Sequence, residues 1–181
     1  MASTTKIVTA LIALNYGKLD EKFTISKEAA NIRGSKVGYT VGEQITVREL
    51  IYGLMLRSGN DAAIALAEGL SGSVESFSKV MNEEARKLGL LYTSFESPHG
   101  LDSDNHFSSS YDLALATAKA QNHEEFMKII SNKAISKEEL GFTRDYHNIN
   151  KILWRSEEAN GVKTGYTGKA GKCLVSSFKL Y

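Results

Sequence analysis

The chain has 181 residues, 42% of them hydrophobic, with a formal net charge of +1 and one cysteine. This length and apolar content predict one domain with a real core, and a single cysteine excludes an internal disulfide. The small net charge and the lack of a long basic run argue against a nucleic-acid or membrane surface. No export signal is visible at the start, and the longest apolar stretch, residues 7–14, is too short to span a bilayer.

The chain opens with a strongly apolar helix. Residues 4–16 are apolar almost all round, which is typical of a helix enclosed by the core, and Gly17 is placed to end it. Residues 18–45 differ, because short apolar pieces alternate with glycines. We expect loops and short strands in that segment.

A helical region follows. Thr46 and Glu49 have the spacing of a capping box, so a helix should begin there and stop before Gly59. Further helices are predicted at residues 61–69, from Ser73 to Gly89, from Ser109, and from Asn122 with Glu125.

The C-terminal part has a different pattern. Residues 90–108 are irregular and contain the only proline, Pro98. Residues 161–164 and 172–178 read as two strands joined by a glycine-rich turn, which predicts a hairpin. The pattern as a whole is typical of an α+β fold that is mostly helical.

The spacing Ser-x-x-Lys can supply a nucleophile and a base on one helix face. It occurs three times, as Ser3/Lys6, Ser76/Lys79 and Ser176/Lys179. Only Ser3 begins a very apolar helix, where the helix N-terminus favours negative charge and apolar surroundings lower the pKa of a lysine. The second pair lies on an amphipathic surface helix, and the third on a strand, where residues three apart face opposite ways. The alternative for Ser3 is a plain N-cap.

Ser-x-Asn occurs at Ser58-Gly59-Asn60, between two apolar helices, and at Ser103-Asp104-Asn105, in a polar loop. The loop copy is typical of turn chemistry, so the first is the better candidate. Its alternative is a tight turn between helices, with Gly59 at positive φ and Asn60 capping the next helix.

Lys163-Thr164-Gly165 occurs once, in a predicted strand that continues to Tyr166. A strand edge beside a nucleophile can offer a backbone N–H to an oxyanion and a hydroxyl to a carboxylate. Gly165 would let a substrate backbone approach closely. The alternative is a hairpin strand with a surface lysine. The three motifs, in this order, match the active-site set of penicillin-recognising serine acyltransferases.

Other polar residues are less informative. The four histidines are scattered without the spacing of metal ligands, and no glycine-rich phosphate loop is present. His99 follows Pro98 and is expected to structure its loop. Cys173 lies in an apolar run and is expected to be a small buried residue. We therefore expect neither a metal nor a cofactor.

With these residues in place, the chain resembles the low-molecular-mass penicillin-binding proteins, specifically the serine-type D-alanyl-D-alanine carboxypeptidases of bacteria. The resemblance runs nearly end to end, through Ala2–Ile7, Gly42–Glu43, Leu56–Ala63, Ser97–Asp102, Asp112–Ala114, Asn148–Asn150 and Gly161–Thr167. It implies a β-lactamase/transpeptidase-like α+β fold in which a helical region packs on an antiparallel sheet, with the site at their junction. Residues 1–181 would form the catalytic domain.

The resemblance also implies the reaction. Ser3 would attack the carbonyl of the penultimate D-alanine, with Lys6 as general base for acylation. Ser58 would relay protons, Asn60 would position Lys6 and the substrate amide, and Lys163 would support proton transfer. Water would then release the acyl-enzyme.

Substrate binding is implied for the strand. Thr164 would bind the terminal carboxylate, and the backbone N–H groups of Ser3 and Tyr166 would form the oxyanion hole. The expected partners are peptidoglycan pentapeptides ending in D-Ala-D-Ala and β-lactam antibiotics, which would acylate Ser3 and leave slowly. The expected location is the bacterial cell envelope, outside the cytoplasm.

Family members carry an export signal, a strand before the nucleophile helix and further strands after the hairpin, one of which supplies an arginine toward the substrate carboxylate. This chain lacks those segments, so we expect a sheet truncated at both ends. Two alternatives remain open. A β-lactamase would need fast deacylation, usually through a further acidic residue, and an inactive fragment would only bind muropeptide or a partner chain.

Overall fold

The structure is a computed structural model that describes residues 1–179. A 3₁₀ turn at Ala2–Thr5 leads into the first helix. The helices are α1 (Lys6–Tyr16), α2 (Lys27–Asn31), α3 (Val47–Leu56), α4 (Asn60–Ser71), α5 (Val74–Leu88), α6 (Ser110–Ala120), α7 (Glu124–Ser131), α8 (Lys137–Leu140) and α9 (Ile152–Arg155). The strands are β1 (Lys22–Thr24), β2 (Gln44–Thr46), β3 (Ala134–Ile135), β4 (Tyr146–His147), β5 (Ala159–Thr167) and β6 (Gly171–Phe178).

The strands of residues 1–179 pair two by two, and each pair is antiparallel. In the longest pair, β5 and β6, Lys163 lies opposite Val175 and Gly165 lies opposite Cys173. This hairpin packs on the 3₁₀ turn and on α7. The prediction of a helical α+β protein with a C-terminal hairpin is confirmed.

Helix α1 lies at the centre of the core. Its residues from Lys6 to Ala13 are all buried, and α3, α4, α5, α6 and α7 pack around it. A helix that is apolar on every side must be enclosed in this way, because no face of it can be left to water. The sequence predicted this position, and the helix ends at Gly17 as expected.

Three local predictions differ from the structure. Helix α2 was not predicted, although Ser26 caps it by accepting a hydrogen bond from the N–H of Ala29. The cap of α7 is His123, not Asn122, because the turn that ends α6 continues one residue further. Cys173 is half-buried rather than buried, because one face of the two-stranded hairpin is only partly covered.

The predicted capping box at the start of α3 is half formed. Thr46 Oγ1 accepts from the N–H of Glu49 at 3.2 Å, so Thr46 is the N-cap. The carboxylate of Glu49 is buried and does not return to Thr46. It accepts instead from Thr143, through N–H at 3.0 Å and Oγ1 at 2.6 Å, and from the Tyr146 hydroxyl at 2.8 Å. Glu49 therefore joins α3 to the segment that ends in β4.

We predict that Glu49→Ala destabilises the protein. It removes the acceptor of the buried Tyr146 hydroxyl and of two donors on the exposed Thr143, which should lower the free energy of unfolding by about 2 kcal/mol. Denaturant unfolding monitored by circular dichroism measures this change. The control is Glu83→Ala on the exposed side of α5, which should stay within about 0.5 kcal/mol of the parent. Equal stability of the two variants would contradict the role of Glu49 in joining α3 to the segment that ends in β4.

Candidate active site

A cleft of about 240 Å³ lies where the 3₁₀ turn, the turn between α3 and α4, and strand β5 meet. It is lined by Ser3, Ser35, Ser58, Ile149, Thr164, Gly165 and Tyr166. Five of the eight residues predicted for the site are in this set. The other three, Lys6, Asn60 and Lys163, are buried.

The amine of Lys6 lies beside the hydroxyl of Ser3. Lys6 Nζ is 2.8 Å from Ser3 Oγ, and it also donates to Asn60 Oδ1 at 2.8 Å and to the carbonyl of His99 at 2.9 Å. Lys6 is fully buried. Burial lowers the pKa of Lys6 well below its ordinary value of 10.5, the charge of Lys163 lowers it further, and Asp61 opposes both. The distance and the lowered pKa suit a base that takes the serine proton.

Asn60 is held so that its oxygen faces Lys6. It is the first residue of α4, and its backbone N–H donates to the carbonyl of Ser35 at 2.8 Å. Its side-chain Nδ2 donates to the carbonyl of Arg33 at 2.8 Å. Because Nδ2 is engaged there, Oδ1 is the amide atom left to accept from Lys6.

The backbone strain of the Ser-x-Asn turn falls on Ser58. Its φ is +59°, in the left-handed region, whereas Gly59 has φ −63° and caps α4. The alternative that placed the positive φ at Gly59 and the cap at Asn60 is therefore wrong. A left-handed serine is unfavourable by itself, and such conformations concentrate at functional sites. Here it brings Ser58 to the cleft.

Strand β5 lies close to the nucleophile. A Cβ on Gly165 would come within 2.9 Å of Ser3 N, so only glycine allows this approach. Lys163 is buried, and its Nζ donates to the carbonyl of Thr164 at 2.9 Å. Burial lowers the pKa of Lys163 to about 7. The side chain of Tyr166, in contrast, is exposed at the mouth of the cleft.

The competing copies of the motifs lie elsewhere. Lys79 pairs with Glu75 on the exposed side of α5, at 3.0 Å. Ser103 and Asn105 bond to the Glu96 carboxylate in an exposed loop. In the third copy, Ser176 is exposed on β6, opposite Val162. None of these copies lines the cleft.

Two residues near Lys6 were not predicted for the site. Asp61 is buried and accepts from the backbone N–H groups of Val37, Gly38 and Tyr39, so it fixes the segment before β2. His99 was expected only to structure its loop. It does so, since its Nδ1 accepts from Leu101 N at 3.1 Å, and its carbonyl also accepts from Lys6. A backbone acceptor has no side-chain signature in a sequence.

Within residues 1–179, no group of three or more His, Cys, Asp and Glu side chains is arranged to hold a metal ion. In the same part of the chain, no helix has both the length and the apolar character needed to cross a membrane.

We predict that Ser58→Gly is more stable than Ser58→Ala. Both variants lose the hydroxyl and keep the left-handed backbone, but only alanine has a Cβ that makes this conformation unfavourable, which should cost it about 1 kcal/mol relative to glycine. Denaturant unfolding of the two variants measures the difference. If alanine were the more stable variant, Ser58 would not carry strain.

Comparison with known proteins points to one family. A family model described as D-alanyl-D-alanine carboxypeptidase matches residues 1–180. The D-alanyl-D-alanine carboxypeptidase DacF of Bacillus subtilis is 40% identical over 184 residues, which cover 98% of this chain and 47% of that protein. DacC of Escherichia coli, with the same description, is 41% identical over 190 residues, covering 97% of this chain and 46% of that protein.

Among solved structures, a Streptomyces DD-transpeptidase matches with a TM-score of 0.91 at 34% identity, covering 99% of this chain and 75% of that one. The chain spans about half the length of the curated relatives it matches. The resemblance stated from the sequence motifs is confirmed. The chain belongs to the D-alanyl-D-alanine carboxypeptidase family and has the β-lactamase/transpeptidase-like fold of these DD-peptidases.

Proposed function

We propose that this chain carries the catalytic machinery of a serine D-Ala-D-Ala carboxypeptidase, with residues 1–181 as its catalytic domain. The reaction removes the terminal D-alanine from peptidoglycan stem peptides through an acyl-enzyme on Ser3. One observation carries the proposal: the buried amine of Lys6 lies 2.8 Å from Ser3 Oγ and has a lowered pKa. A cell-wall substrate places the enzyme in the bacterial envelope, outside the cytoplasm.

Acylation begins when Ser3 Oγ attacks the carbonyl carbon of the penultimate D-alanine and its proton passes to Lys6 Nζ. The developing oxyanion accepts from the backbone N–H groups of Ser3 and Tyr166, and the closeness of β5 to the 3₁₀ turn supports this role. The C–N bond then breaks. The leaving D-alanine takes a proton that Ser58 relays, and Lys163 supports this transfer.

The terminal carboxylate of the substrate binds the hydroxyl of Thr164, which lines the cleft. The substrate backbone lies along β5, where Gly165 leaves room for it. Asn60 holds Lys6 and also meets the substrate amide. Water completes the cycle by hydrolysing the ester on Ser3. Penicillins mimic the D-Ala-D-Ala end, acylate the same oxygen and are released slowly.

The two alternative functions have less support. Fast β-lactam hydrolysis usually depends on an acidic residue near the acyl-enzyme, and none of the described residues that line the cleft is acidic. The relatives are named as carboxypeptidases and a transpeptidase. An inert binding fragment would have no use for a buried amine beside a serine hydroxyl. Turnover of penicillin would support the first alternative, and absence of any adduct on folded protein would support the second.

We predict that a fluorescent penicillin forms a covalent adduct with the parent chain and none with Ser3→Ala. The matched control is Ser76→Ala, which removes the serine of the exposed Ser-x-x-Lys copy and should label like the parent. Gel fluorescence and intact mass report the adduct, and circular dichroism verifies that each variant is folded. Equal labelling of the parent and Ser3→Ala would exclude Ser3 as the nucleophile.

We predict that the acylation rate increases with pH through the lowered pKa of Lys6. The neutral amine is the base, and a lowered pKa populates it at a lower pH, so the rate should reach its plateau well below pH 10.5, the ordinary value for lysine. Lys6→Arg should give no plateau at any pH, because its guanidinium stays protonated. Stopped-flow acylation across pH measures both. A parent rate that kept increasing beyond pH 10 would mean that Lys6 titrates like an exposed lysine.

A further inference from the structure

One irregular loop contacts both halves of the candidate site. It spans residues 94–107 and is closed at its base by a bridge in which Ser94 and Phe107 exchange backbone hydrogen bonds at 2.9 and 3.1 Å. It packs against the start of α1 on one side and reaches the turn of the β5–β6 hairpin on the other. The mechanism above uses only one atom of this loop, the carbonyl oxygen of His99.

The inner side of the loop is fixed to α1. The carbonyl of Pro98 accepts from Thr9 Oγ1 at 2.7 Å, and the carbonyl of His99 accepts from Lys6 at 2.9 Å. Gly100 has φ +86°, and a Cβ there would lie 2.0 Å from the carbonyl oxygen of Ala2. The loop backbone is thus pressed against the turn that carries the nucleophile, at a position where only glycine fits.

The outer side of the loop holds the hairpin through Asp102. Its Oδ1 accepts from Thr167 Oγ1 at 2.6 Å, and its Oδ2 accepts from the backbone N–H of Lys169 at 3.1 Å. The Thr167 hydroxyl in turn accepts from the N–H of Ala170 at 3.1 Å. These contacts lower the pKa of Asp102, the Thr167 hydroxyl bond most and the Lys169 N–H bond next, so its carboxylate is charged throughout the neutral range.

We propose that Asp102 is a positioning residue for this reaction, which clasps the β5–β6 turn to the loop that carries His99 and so sets the spacing between Ser3 and the edge of β5. The inference rests on the proposed function. Thr167 follows Tyr166 directly, and Tyr166 supplies the oxyanion N–H in that proposal. One loop therefore fixes the general base from one side and the oxyanion strand from the other.

The neighbouring ion pair does not serve the same purpose. Lys169 Nζ contacts Asp104 at 2.8 Å, but both side chains are largely exposed to solvent. Exposed ion pairs of this kind contribute little to the stability of the fold, because water screens the charges and two long side chains must be ordered. Asp102 is exposed as well, but its partners differ. It accepts from a short hydroxyl and from a backbone N–H, so few side-chain torsions must be ordered to keep these two hydrogen bonds.

We call the contacts of Asp102 with Thr167 and Lys169 the clasp. Its loss should destabilise the transition state more than the bound ground state. The hairpin turn would move outward, and the N–H of Tyr166 would no longer be aimed at the oxyanion, which exists only after attack by Ser3. Small misplacements of this kind reduce rates by about one to two orders of magnitude. Binding of the intact β-lactam, which precedes the oxyanion, should change far less.

The test uses the full chain and stopped-flow acylation by a fluorescent penicillin, which separates the dissociation constant from the acylation rate constant. We expect Asp102→Ala and Thr167→Val to lower the rate constant roughly tenfold, with dissociation constants within about twofold of the parent. Thr167→Ser keeps the hydroxyl and should restore most of the rate. Asp104→Ala, on the same loop, is the matched control and should behave like the parent.

Two further readouts make the result decisive. The double variant Asp102→Ala/Thr167→Val should be no slower than the slower single variant, because both remove one clasp. Hydrogen exchange of the amides of residues 166–170 should accelerate in Asp102→Ala and not in Asp104→Ala. Three outcomes would overturn the clasp while leaving the proposed function intact. These are unchanged amide exchange in Asp102→Ala, additive effects of the two substitutions on the acylation rate constant, and an effect on the dissociation constant alone. A parent chain that no penicillin acylates would instead overturn the proposed function, and the clasp with it.

Discussion

The amine of Lys6 is buried at the centre of the protein, and its three oxygen neighbours are a hydroxyl, an amide and a backbone carbonyl. No carboxylate of residues 1–179 bonds to it directly. In water a lysine is charged at neutral pH, but burial without a direct counter-ion favours the neutral form. The three neighbours come from the 3₁₀ turn, from α4 and from the 94–107 loop. The reactivity of Ser3 therefore depends on elements that are far apart in sequence and must pack together.

Two buried carboxylates, those of Asp61 beside the site and Glu49 in the core, are occupied by neutral donors. Asp61 accepts from backbone N–H groups of residues 37–39, and Glu49 accepts from Thr143 and Tyr146. A carboxylate paired with Lys6 would raise its pKa and remove the base. The acids instead stabilise the chain segments around the site. In the same way Lys163 donates to a carbonyl oxygen and not to an acid, and its pKa is lowered as well.

The sequence predicted those features that depend on local pattern. The central position of α1 follows from apolar residues on every side, and the Ser3–Lys6 contact follows from helical spacing. Local pattern alone could not predict partners that are distant in sequence, and the contact of Asn60 with Lys6 was implied only by the family resemblance. The carbonyl of His99 accepts from Lys6 across 93 residues, and the carboxylate of Glu49 turns away from its own helix cap to meet Thr143. A motif records side-chain types, whereas these contacts depend on where the backbone passes.

The position of β5 depends on two glycines without side chains and on one long buried side chain between them. A Cβ on Gly161 would lie 2.6 Å from Ile130 Cδ1, and one on Gly165 would lie 2.9 Å from Ser3 N. Between them, the long side chain of Lys163 is buried in the protein. The two glycines bring the strand against α7 and against the nucleophile turn, and the lysine fills the space that remains. Because a close-packed interior cannot absorb an extra methyl group without movement, a side chain at either glycine would displace the strand and take the proposed oxyanion N–H away from Ser3.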